Sequence, residues 1–164
     1  MKKNTTEWNL CDLLEQGGIY YDVPGTNVKE LLANAVDLLT PAPTLDPHAL
    51  LNEVISRETL MSTGVGRGIA LPHPRSPVIG ENDKPFVALI FPSEPLDWNT
   101  PDGSRVHTVF LIVSSSAKQH LNALSKINFL CQKENIYYII KQRSPKKEII
   151  AEIRKTEKTW LRSS

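Results

Sequence analysis

The sequence predicts an α/β domain in which a cluster of strands is flanked by helices and buried on both faces. Three observations carry this. Residues 86–91 and 109–113, the second inside a strand expected over 106–113, are continuous apolar runs rather than alternating ones, as strands covered on both faces require. Residues 26–40 and 47–58 repeat their apolar positions at helical spacing. The C-terminal third reads as helix almost throughout.

Taken in order, residues 7–16 form a short helix stopped by Gly17 and Gly18. Ile19, Tyr20 and Tyr21 have β-branched and aromatic strand character, and the Asp22-Val23-Pro24-Gly25 turn ends them. Thr26 caps a helix to Thr40, with Val28, Leu31, Leu32, Ala35, Leu38 and Leu39 inward, which Pro41 and Pro43 break. Asp46-Pro47 is a cap followed by proline at the first helical position. That helix runs to Glu58 with Leu50, Leu51, Val54 and Ile55 inward. Gly64, Gly66 and Gly68 make a loop into the short apolar run 69–71. Pro85 and Pro92 bound the first long strand, and Pro101-Asp102-Gly103 is a turn before the second. Ser114-Ser115-Ser116 begins a helix to Lys133 with Leu121, Leu124, Ile127 and Cys131 on one face. A helical stretch covers 134–142, and Ser144-Pro145 caps a last helix of alternating charge over 145–160.

Size and composition narrow the function. The chain has 164 residues, within the ~100–200 of a single core, so residues 1–164 are expected to form one domain. Lys and Arg number 19 against 18 Asp and Glu, a formal charge of +1, which excludes a basic nucleic-acid footprint. Two cysteines, Cys11 and Cys131, are too few for a disulfide framework. No signal-peptide pattern follows Met1-Lys2-Lys3, and no apolar run approaches the ~20 residues of a bilayer span. The expectation is a cytoplasmic protein with no direct membrane insertion.

Of four histidines, His48 reads as a surface residue and His107 as structural. His73 is held between Pro72 and Pro74, which restricts its backbone. His120 opens the helix after the second long strand, where free N–H groups and the helix dipole favour an anion. Arg57 has Glu53 and Glu58 within one helical turn as possible ion-pair partners. Other motifs fail. Gly64-Val65-Gly66-Arg67-Gly68 lacks the Gly-Lys-Ser/Thr of a Walker loop and leads into a strand rather than out of one. The cysteines have no zinc-site spacing, there is no Gly-x-Ser-x-Gly elbow, and Asp97 and Asp102 flanking a turn are a weak carboxylate pair.

The run from Arg57 through Met61-Ser62-Thr63-Gly64-Val65-Gly66-Arg67-Gly68-Ile69-Ala70-Leu71-Pro72-His73 resembles the signature of the enzyme IIA domain of the fructose–mannitol class. These domains belong to the bacterial phosphoenolpyruvate-dependent phosphotransferase system. Pro95-Leu96-Asp97-Trp98, Asp102-Gly103 before Val109-Phe110-Leu111, and His120-Leu121-Asn122-Ala123-Leu124-Ser125 agree with it. The resemblance implies a mixed sheet flanked by helices on both faces. It implies that His73 accepts a phosphoryl group from the phosphocarrier HPr or a paralogue, that His120 is the second active-site histidine, and that Arg57 is the pocket arginine. Ser62, Thr63, Arg67 and Arg75 are further candidate binding residues. No cofactor and no metal is implied.

A free-standing module of this length resembles the nitrogen-regulatory branch, whose phosphorylation state alters binding to transporters or sensor proteins. A sugar-specific member would donate to a IIB domain instead. A third reading keeps the fold as a phosphorylation-inert docking module using Val65, Ile69, Leu71, Val78 and Ile79 around His73; a hydrolase is a fourth. The chain departs from the family where a small residue, often Gly, commonly follows the active histidine. Here Pro74, which lacks an N–H, is followed by Arg75. Arg75 either supplies a second guanidinium or faces solvent.

Overall fold

The computed structural model describes residues 8–39 and 45–163, with side chains through Trp160. A five-stranded mixed sheet forms its middle layer, in the order β1-β4-β5-β3-β2. The strands are β1 (Ile19–Val23), β2 (Gly64–Gly66), β3 (Ile69–Ala70), β4 (Phe86–Pro92) and β5 (Thr108–Val113). β1 pairs parallel with β4, β4 antiparallel with β5, β5 parallel with β3, and β3 antiparallel with β2. The described helices are α1 (Leu10–Gly17), α2 (Val28–Leu38), α3 (Pro47–Leu60), α4 (Ala117–Cys131), α5 (Glu134–Lys141) and α6 (Lys146–Ser163).

Both long strands are buried along their whole length because each face of the sheet has its own core. The two-residue side-chain period of a strand divides them. Phe86, Ala88 and Ile90 of β4, with Val109, Leu111 and Val113 of β5, pack against α2 and α3. Val87, Leu89, Phe91, Phe110 and Ile112 pack against α1, α4, α5 and α6. Continuous apolar runs were therefore the correct sign of a sheet covered twice.

Several boundaries differ from the sequence expectation. Asn27, not Thr26, caps α2, accepting from the Glu30 backbone N–H at 2.9 Å, while Thr26 bonds the Glu30 side chain. Val36 replaces Leu38 on the buried face, and Leu38 is exposed. The glycine segment expected as loop contains β2, a short edge strand. The run 106–113 enters the sheet only at Thr108, with Val106 forming an isolated bridge to Leu96. On α4 the buried face is Ala123, Lys126, Ile127 and Leu130; of the expected stripe Ile127 is buried, Leu124 and Cys131 pack partly against the core, and Leu121 is exposed. The Lys126 stem is buried while its Nζ donates to the Trp8 carbonyl at 2.8 Å, so a charged residue sits inward without an unpaired head. The expected helix start at Glu7 and the break at Thr40, Pro41 and Pro43 lie outside the described residues.

α1 lies unusually close to β4. A Cβ at Gly17 would sit 2.1 Å from the Val87 carbonyl oxygen, inside any allowed contact. Only glycine lets the end of α1 reach the strand. Gly17→Ala is expected to lower the unfolding free energy by about 1–3 kcal/mol through overpacking, measured as a shift of the urea midpoint.

Candidate active site

Two parallel strands deliver the candidate residues to one end of the sheet. The chain leaves β3 at Ala70 and passes through Leu71 and Pro72 to His73, alongside β5. The Pro72 carbonyl accepts from the Ile112 N–H at 3.0 Å, and the Leu71 N–H donates to Thr63 at 3.0 Å. β5 ends at Val113 and gives way to Ser114, Ser115, Ser116 and then α4, which carries His120 in its first turn. The carboxyl ends of parallel strands are where open α/β sheets gather functional groups.

The rings of His73 and His120 meet with centroids 4.3 Å apart at an interplanar angle of 46°. His73 Nδ1 lies 2.9 Å from the Leu71 carbonyl oxygen. A carbonyl can only accept, so the neutral ring carries its proton on Nδ1 and leaves Nε2 with a free lone pair. Burial lowers the His73 pKa below its ordinary value, with the nearby Arg57 charge acting in the same direction; the Leu71 hydrogen bond and Glu58 oppose it. His120 is pushed down to about 4 by burial, then by His73 and Arg57. Both rings are therefore uncharged at neutral pH.

A cavity of about 270 Å³ opens here, lined by Arg57, His73, Pro74, Arg75, Pro77, Ile112, Ser114, Ser116, Ala117 and His120. Its described lining holds two guanidinium groups and no carboxylate. Arg57 reaches it from the last turns of α3, with Nη1 donating to the Met61 carbonyl at 2.7 Å. The ion pairs expected from Glu53 and Glu58 do not form, because both carboxylates are used elsewhere. Glu53 accepts from the Ser76 N–H at 2.9 Å. Glu58 accepts from the Thr63 N–H and hydroxyl and from Trp98 Nε1. Ser116 caps α4 by accepting from the Gln119 N–H at 3.2 Å, so the open N-terminus of a 15-residue helix borders the cavity. Unsatisfied N–H groups at such an end favour an anion.

The sequence candidates thus divide. His73, His120, Arg57 and Arg75 share one cavity. Ser62, Thr63 and Arg67 lie outside it. The Ser62 hydroxyl donates to the Trp98 carbonyl and accepts from the Gly64 N–H, and Thr63 is tied to Glu58. Arg67 turns the chain between β2 and β3 at φ 55°, stacks 3.8 Å over the Tyr137 ring and pairs with Glu134 at 3.1 Å. Asp97 and Asp102 are turn acceptors, Asp102 being held below the usual carboxylate range by the Arg67 N–H and by Ser104. Of the apolar docking set, Ile69, Leu71 and Ile79 are core residues. Val65 of that set is exposed and Val78 half-buried, and Leu60 and Met61 after Arg57 and Leu121 after His120 are also exposed, the last two 71% and 62%. Sequence reading missed Glu53, whose signal was only its place one helical turn before Arg57. The described residues contain no group of three or more His, Cys, Asp or Glu able to hold a metal ion.

Comparison with known proteins gives one consistent result. Residues 12–156 match the family model described as "Phosphoenolpyruvate-dependent sugar phosphotransferase system, EIIA 2". The chain is 28% identical over 130 residues to a nitrogen regulatory protein of Pseudomonas aeruginosa, covering 77% of this chain and 82% of that one. It is 33% identical over 89 residues to a fructose-like EIIA component of Escherichia coli, covering 54% and 57%. Among solved structures, the nitrogen regulatory protein IIA-Ntr of Neisseria meningitidis superposes with a TM-score of 0.72 at 28% identity, over 82% of this chain and 92% of that one.

The half-buried His73 and His120 make stability depend on pH. Their folded pKa values lie below the ~6.5 of an unfolded histidine. Between those values the unfolded chain binds protons that the folded chain does not, so stability falls as pH drops from about 6.5 toward 4. Urea midpoints should decrease across that window, and His120→Gln should flatten the decrease relative to the parent.

Proposed function

The chain belongs to the EIIA 2 family of the phosphoenolpyruvate-dependent sugar phosphotransferase system, which acts in phosphoryl transfer, and from that premise we propose that His73 Nε2 is its phosphoryl acceptor. The observation that carries the proposal is the Nδ1 hydrogen bond to Leu71, which leaves Nε2 as the nucleophilic nitrogen beside a second neutral ring and two guanidinium groups.

The step is a displacement at phosphorus. The Nε2 lone pair forms a P–N bond while the bond from phosphorus to the donor breaks, and the bonding electrons leave with the donor. A phosphocarrier of the HPr kind, or its nitrogen-branch paralogue, supplies the group. The transition state spreads charge over three equatorial oxygens, so the protein's task is positioning and charge stabilisation. Arg57 presents a planar fork of donors suited to that shape. His120 offers one ring N–H, and the arriving negative charge raises its pKa, so the bond strengthens as transfer proceeds. The first N–H groups of α4 add further donors. The Nδ1–H···O bond to Leu71 stabilises positive charge that develops on the ring. No step requires a cofactor.

Transfer onward can follow two routes. The broad match to nitrogen regulatory proteins supports a regulatory role, in which the phosphorylation state of His73 alters binding to a transporter or sensor protein. Matches to fructose-type EIIA components, one of them as broad on this chain as the nitrogen-regulatory match, support the second route, donation to a IIB domain. In both, the exposed Met61 and Leu121 give an apolar rim on which a partner can bring its phosphoryl group to Nε2.

Incubation with phosphoenolpyruvate, enzyme I and HPr should give an acid-labile mass gain of one phosphoryl group. His73→Ala should abolish it, and equal labelling of that variant overturns the site assignment. No gain in the parent marks an inert module, and steady phosphate release marks a hydrolase. His120→Ala or Arg57→Ala should slow labelling by about 10²–10³-fold, the usual loss for one preorganised donor, while the acceptor remains. Because the His73 pKa is lowered, the parent's labelling rate should decline at a lower pH than an ordinary imidazole would impose, read from initial rates between pH 8 and pH 5.

A further inference from the structure

The backbone after His73 cannot serve the phosphoryl oxygens. Pro74 has no N–H. The Arg75 N–H donates to the Glu53 carbonyl at 3.1 Å, and the Ser76 N–H to the Glu53 carboxylate at 2.9 Å. Three consecutive residues beyond the nucleophile thus offer no free backbone donor. All three bend toward α3, and Glu53 takes both remaining N–H groups, one with its main chain and one with its side chain.

This clamp has a geometric result. Glu53 and Arg57 stand four residues apart on α3, hence on the same face. Fixing the Pro74–Ser76 segment to that face sets the Arg75 side chain along the wall of the cavity that Arg57 also lines. Arg75 is exposed, and its guanidinium takes no carboxylate partner among the described ion pairs. A planar cation without a carboxylate partner, at the lip of a cavity lined by no acidic residue, is suited to a dianionic phosphoryl group.

We propose that Arg75 is a second phosphoryl-binding cation that replaces the missing backbone donors, and that Glu53 is the positioning residue that holds it there. The inference rests on His73 being the acceptor. Arg75 acts on the transferring group directly; Glu53 acts only through the loop it grips.

Potassium phosphoramidate tests this without any protein partner. It transfers its phosphoryl group to imidazole nitrogen, forming a P–N bond at Nε2 as its own P–N bond breaks and ammonia leaves. Docking effects of a carrier protein are thereby removed. Arg75→Ala should slow labelling of His73 at least about tenfold, and Arg75→Lys should recover part of the rate as a point charge lacking the fork. Glu53→Ala should slow it similarly, while Glu53→Gln, which still accepts the Ser76 N–H, should stay within about threefold of the parent. The double variant Glu53→Ala/Arg75→Ala should be no slower than Arg75→Ala alone, because the two act in series; a merely structural Glu53 would make the losses add. An Arg75→Ala rate within twofold of the parent overturns the inference, as does additive loss in the double variant. Should Glu53→Ala fail to fold, the Arg75 variants and Glu53→Gln still decide. Undiminished labelling of His73→Ala would instead overturn the acceptor assignment itself.

Discussion

One hydrogen bond fixes the ring on which the proposed chemistry rests: His73 Nδ1 to the Leu71 carbonyl. An imidazole has two nitrogens and, when neutral, one proton. Giving the proton a fixed acceptor on one side makes the other side a nucleophile. The acceptor is itself fixed, because the Leu71 N–H is bonded to Thr63 and the Pro72 carbonyl to Ile112 in the middle of the sheet. The orientation of one ring is thereby referred to the central strand of the sheet. Residues 71–73 form a short extension of β3, whose rigidity comes from the two prolines and from β5.

The rest of the site follows from sheet connectivity. β3 and β5 are parallel neighbours, so their carboxyl ends adjoin and the segments leaving them carry His73 and His120 to within 4.3 Å of each other. Had β3 run antiparallel to β5, the two histidines would emerge at opposite ends of the sheet. Burial keeps both rings uncharged, which suits one to attack and the other to donate a single N–H. The positive charge comes from guanidinium groups, whose protonation is insensitive to such surroundings. The site thereby separates nucleophile from counter-charge and avoids a cationic ring where a lone pair is needed.

Much of this was legible in the residues. The uninterrupted runs of β4 and β5 showed a sheet covered on both faces, and Asp46-Pro47 marked the start of α3. The Pro-His-Pro constraint singled out His73. What the sequence concealed was three-dimensional competition. Ser62, Thr63 and Arg67 stand in the signature run beside His73, yet each side chain is committed elsewhere, to Trp98, Glu58 or Tyr137. Glycines at 64, 66 and 68 suggested a loop, because an edge strand two or three residues long carries no periodicity to detect. On α4 the sequence placed Leu121 inward and left out Lys126, although a long stem with a paired ammonium can turn inward and displace a leucine to the surface.

α3 shows how few residues are needed to set such a site. Its C-terminal half bears Glu53, Arg57 and Glu58, and no two of them pair. Glu53 grips the loop beyond the nucleophile. Arg57 enters the cavity. Glu58 ties the helix end to Thr63 and Trp98, holding the chain that leads into β2. Salt bridges from Arg57 to either neighbour would neutralise the charge that the cavity requires. Giving both carboxylates to N–H and O–H donors instead leaves the guanidinium uncompensated while satisfying the acidic groups. The net charge of the cavity is therefore set by where the carboxylates of α3 find their hydrogen bonds. The same helix that would read as an ordinary alternation of acid and base becomes a source of unopposed positive charge. That excess is what an incoming phosphoryl group would meet, and it is restored once the group has been passed on.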